Sequence, residues 1–75
     1  MRVYFIEIFN PHEIETHVNK THAGAVNRVA DYCRRNWSKH FRAPRAAQDD
    51  APLIEVYFSV AGQEHYEITE KDLGD

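Results

Sequence analysis

PLIEVYFSV, residues 52–60, is the stretch on which the fold turns. Glu55 and Ser59 interrupt an otherwise apolar run of β-branched and aromatic residues. Ile54, Val56, Phe58 and Val60 alternate with Glu55, Tyr57 and Ser59. That period of two predicts a half-buried strand with the first set inward. The next segment, EHYEIT, residues 64–69, offers Tyr66 and Ile68 inward and His65 and Glu67 outward. A three-residue loop, Ala61-Gly62-Gln63, sets Phe58 opposite Tyr66 and Val56 opposite Ile68, which keeps the core on one face. The C-terminal half therefore reads as a hairpin.

Toward the N-terminus, RVYFIEIF, residues 2–9, is apolar on both faces and suits the centre of a sheet. Asn10-Pro11 marks a turn. EIETHVNK, residues 13–20, alternates again, with Ile14, Thr16 and Val18 on the expected core side and Glu13, Glu15, His17 and Asn19 outward. Thr21 can cap a helix from His22 to about Trp37. Val26, Val29, Ala30, Cys33 and Trp37 make its apolar stripe, and Arg28, Arg35 and Lys39 share the opposite face. The expected fold class is α+β, order ββαββ, with a four-stranded, mainly antiparallel sheet packed on one helix.

Seventy-five residues make one small domain, 1–75, whose core only just offsets chain entropy. A hydrophobic share of 43% with 12% aromatic residues excludes intrinsic disorder. Residues 38–51 form a long charged connection, and 71–75 are expected to fray. No apolar run could span a bilayer, and Glu7 breaks the N-terminal run, so neither a membrane span nor a signal peptide is expected. The lone Cys33 fits a reducing compartment, and the expected location is cytoplasmic.

The net charge of −3 conceals a polarised chain: −2 over residues 1–19, +6 over 20–45 and −7 over 46–75. Two candidate partner-binding surfaces follow. One is basic, with Arg28, Arg34, Arg35, Lys39, Arg42 and Arg45 interleaved with Trp37, His40 and Phe41. Guanidinium and ammonium groups neutralise phosphates and aromatic rings stack on bases. The other is acidic, with Glu13, Glu15, Glu55 and Glu67 spaced to meet a basic protein patch. The five histidines lack metal-ligand spacing, Cys33 lies on the apolar stripe, and no phosphate-cradling loop or nucleophile elbow occurs. The reading is a non-enzymatic protein without metal or cofactor.

FNPHEIETHVNKTHAGAVNRVADYCRRN, residues 9–36, carries a hairpin through an Asn-Pro turn into a Lys-Thr-capped helix with an Ala-rich start. Over residues 8–36 this arrangement resembles very short proteins encoded by bacteriophages and mobile elements, anti-CRISPR proteins among them. The resemblance implies a binding protein that inhibits a host protein or ribonucleoprotein complex by occupying a surface. The alternative, from the basic stretch, is a nucleic-acid-binding regulator. A homodimer through an exposed strand edge is a third expectation, motivated by the small core.

Overall fold

The computed structural model describes residues 1–41 and 49–74. It is an α+β domain: β1 (Arg2–Phe9), β2 (Ile14–Asn19), α1 (His22–Asn36), a single 3₁₀ turn (Trp37–Lys39), α2 (Asp50–Val60) and β3 (His65–Asp72). The three strands form one antiparallel sheet in the order β2-β1-β3. Apolar on both faces, β1 takes the central place its composition predicts.

The expected four strands and single helix are corrected at residues 52–60, which form α2 rather than a strand. Glu55 and Ser59 are four apart, a spacing that keeps them on one face of a helix as well as of a strand. What separates the two periods is the remaining set. Leu53, Ile54, Tyr57 and Ala61 are the buried residues, a stripe at i, i+1, i+4 and i+8. Val56 and Val60, expected inward, are instead 39% and 51% exposed, while Tyr57, expected outward, is fully buried. Local chemistry favours the helix start. Asp49 stands extended at the N-cap position, and its carbonyl accepts from Leu53 N at 3.1 Å. Pro52 falls in the first turn, where its missing N–H costs nothing. Burial of the stripe then outweighs the strand preference of Ile54, Val56 and Val60.

The faces of β2 are also reversed. The Asn10 side chain accepts from the backbone N–H groups of His12 and Glu13, each at 2.8 Å, and this loop pairs Phe9 with Ile14 and Phe5 with Val18. Ile14, Thr16 and Val18 therefore share the open face with Phe5, Glu7 and Phe9. Glu15, His17 and Asn19 point to the helix side, where α1 supplies partners: Arg35 reaches Glu15 at 2.7 Å and Arg28 reaches Asn19 at 3.3 Å. A half-polar edge strand satisfied by a basic helix flank is what the alternation alone could not distinguish.

The cap on α1 is as expected, with Thr21 Oγ1 accepting from Gly24 N at 3.0 Å. Gly24 sits close to its neighbours: a Cβ there would lie 2.7 Å from Asn19 Nδ2 and 3.0 Å from Thr21 Oγ1, so those side chains would have to shift to admit one. Ala25, Val29, Ala30, Tyr32 and Cys33 are buried, with Val26 and Trp37 at the margin. Both helices cover one face of the sheet, over Ile6 and Ile8. Trp37 and Phe41 stack with centroids 3.8 Å apart and pack against the core. At the C-terminal end β3 runs to Asp72, and Leu73 N donates to Met1 O at 2.8 Å. Arg42 and Arg45 lie outside the described residues. Among the described residues no helix is long and apolar enough to cross a membrane.

These assignments separate by mutation. Leu53→Ala should cost about 2–5 kcal/mol in urea unfolding, because it opens a cavity in a closed core. Val60→Ala should cost under about 0.5 kcal/mol. Comparable losses at both positions would contradict a helix with this stripe.

Candidate functional site

One end of the molecule is organised by a single carboxylate. The turn after α2 closes through Ala61 N donating to Tyr57 O at 2.9 Å and Glu64 N donating to Ala61 O at 3.0 Å, which aims Glu64 back under the helices. There Glu64 Oε1 accepts from the hydroxyls of Tyr32 on α1 and of Tyr57 on α2, the latter at 2.8 Å. His40, just past the 3₁₀ turn, lies with Nε2 2.7 Å from Glu64 Oε2. An ionised carboxylate only accepts, so Nε2 carries the proton. The Glu64 side chain is 10% exposed.

Burial alone would raise the Glu64 pKa, but the hydrogen bonds from Tyr32, Tyr57 and His40 outweigh it and hold the group below its ordinary 4.5. The donors shift the other way. Burial, reinforced by the bond to Glu64, pushes Tyr32 up to about 12 and raises Tyr57 further. The cluster is thus a fixed anion held by neutral hydroxyls. Burial also pushes the Cys33 thiol up to about 12, which leaves it inert.

Above this clamp opens a groove of about 720 Å³, walled by the Asn10–Glu13 turn, the last turn of α1, Lys39 with His40, and the segment Val60–Glu64. It brings together four residues drawn from both expected surfaces: Glu13, Glu15, Arg35 and Lys39. The two surfaces are therefore not separate. Arg35 is tied to Glu15, which His17 also contacts at 2.7 Å. Burial of Glu15 is outweighed by these two partners, and its pKa is lowered. Arg34 bridges Asp50 at 2.6 Å and Asp31 at 3.3 Å, joining α1 to the start of α2. Arg28 is bound to Asn19. Glu55 on α2 and Glu67 on β3 are exposed and lie away from the groove.

Among the described residues, no three His, Cys, Asp or Glu side chains are grouped to hold a metal ion. The sequence reading passed over Glu64 and placed Tyr57 outward. The signal was available only with the helical period, which buries Tyr57 beside Leu53 and Ile54 and so demands a partner for its hydroxyl. No protein-family model, curated protein or solved structure matches this chain.

The clamp makes stability depend on pH. Because the folded Glu64 pKa lies below 4.5, its contribution is complete above that value and is lost as pH falls through the folded value. Glu15 and Asp50, also lowered, act in the same direction. Glu64→Gln should lower stability at neutral pH and flatten its decline below pH 4.5, read by chemical unfolding across pH. An unchanged acid slope would show that Glu64 is not held as an anion. Tyr57→Phe, which removes one donor to a charged acceptor, should cost about 1.5–3 kcal/mol.

Proposed function

We propose that this chain is a small non-enzymatic binding protein that inhibits a host macromolecular complex by occupying one of its surfaces, acting in the cytoplasm as anti-CRISPR proteins do. The observation that carries the reading is the groove at the Glu64 end. Its walls are held by side-chain hydrogen bonds between elements, so little ordering cost remains when a partner segment enters. Lys39 stands on one side and Glu13 on the other, which favours a protein segment carrying both signs of charge. The buried carboxylate is a poor general base, because three donors already occupy it and its basicity is reduced. The resemblance over residues 8–36 supplies the inhibitory class.

Binding to nucleic acid is the weaker reading. Arg34 and Arg35 are engaged by Asp50, Asp31 and Glu15, and the Trp37 and Phe41 rings stack on each other instead of offering open faces.

The test is affinity capture from bacterial lysate with and without nuclease, comparing the native chain with a Lys39→Glu, Glu13→Lys double variant. The proposal expects a defined protein or ribonucleoprotein complex that survives nuclease and is retained about tenfold less by the variant. Capture that vanishes with nuclease, or that the variant leaves unchanged, would contradict it.

A further inference from the structure

The face of the sheet turned away from the helices is uncovered, and its chemistry is unbalanced. Phe5 is 37% exposed and Val18 55% exposed, in the same row across the strands as Thr69. Two residues along β1 toward its end, Glu7 lies directly opposite Glu67. Like charges at a cross-strand pair repel, and neither carboxylate has a cationic partner among the described residues. Two residues the other way, Lys71 pairs with Val3. Its ammonium lies 5.8 Å from the Phe5 ring centroid and has no carboxylate partner among the described residues.

We propose that two copies of this chain pack these faces together about a two-fold axis that crosses the strands along the Val18, Phe5 and Thr69 row. Lys71 and Glu67 lie two residues on either side of Thr69, on the same face. The rotation therefore lays the Lys71 of each copy over the Glu67 of the other, beside its Glu7. Each acidic pair gains the cation it lacks, and by symmetry this happens twice. Phe5 meets Phe5 and Val18 meets Val18, giving an apolar centre between the charged rows. Such self-complementarity is the requirement of an isologous interface, which singles out a second copy over an unrelated partner. A 75-residue chain also has the small core that association supplements. The strands of the two sheets pack face to face as in a sandwich.

This interface differs from pairing through a free strand edge. An edge pair along β3 would leave Val18 untouched, and an edge pair along β2 would leave Glu67 and Lys71 untouched, because β2 and β3 lie on opposite sides of β1. The dimer keeps both grooves on its outer, helix-covered sides, so the complex would present two copies of the binding site and engage a repetitive partner with gained avidity.

Light scattering on the full chain across a concentration series tests the proposal. The native chain should be a dimer at high concentration. Val18→Glu should be monomeric with an unchanged far-UV CD spectrum, since that position is exposed within one copy. Lys71→Glu and Glu67→Lys should each weaken dimerisation about tenfold or more, and the combined exchange should restore it. A native chain that stays monomeric, a Val18→Glu variant that still dimerises, or a combined exchange that fails to restore association would each overturn it. None of these results depends on the groove, so they stand apart from the capture experiment.

Discussion

The Glu64 carboxylate is the point at which the separate elements become one body. It stands just before β3, and it accepts hydrogen bonds from Tyr32 on α1, from Tyr57 on α2 and from His40 beyond the 3₁₀ turn. The tyrosines are nearly or fully buried, so each hydroxyl would lose its water without a partner. One acceptor answers all three donors. A carboxylate so placed is costly to bury alone and is stable only when it is surrounded in this way. The clamp therefore holds only when both helices and the sheet are in place together.

A second tie, from Arg34 to Asp50, joins the helices at the other end of α2. Together with the apolar stripe of Leu53, Ile54 and Tyr57, it accounts for why residues 50–60 settle as a helix against α1. The sequence carried the strand order only in part. The central position of β1 was legible, because a strand apolar on both faces has no solvent side to offer. So was the Thr21 cap, which rests on a local hydroxyl and one amide. The state of residues 52–60 was not, because Glu55 and Ser59 satisfy both periods and the remaining side chains are apolar nearly all round. The deciding terms were a buried tyrosine hydroxyl and two charges from distant elements.

The same lesson holds for the charged residues. Their segregation along the chain suggested two surfaces of opposite sign. Folding instead brings Arg34 against Asp50 and Arg35 against Glu15, so that much of the sequence polarity is spent on joining elements. Lys39 and Glu13 remain at the groove, and Glu7, Glu67 and Lys71 remain on the open sheet. These five charges have no ion-pair partner among the described residues of one copy, and so have reason to meet something else. The fold thus divides its surfaces: a preorganised groove at the clamped end, and an open sheet face whose Phe5 and Val18 centre has the Glu7–Glu67 pair on one side and Lys71 on the other.

The most direct measurement of the central interaction is an NMR pH titration of the Glu64 side-chain carboxyl in the folded protein. Three donated hydrogen bonds predict a midpoint below the ordinary 4.5, with the Tyr32 and Tyr57 resonances shifting at that same midpoint and their hydroxyls losing their protons only at strongly alkaline pH. A midpoint above 4.5 would mean that desolvation governs the site and that the clamp does not hold the elements together.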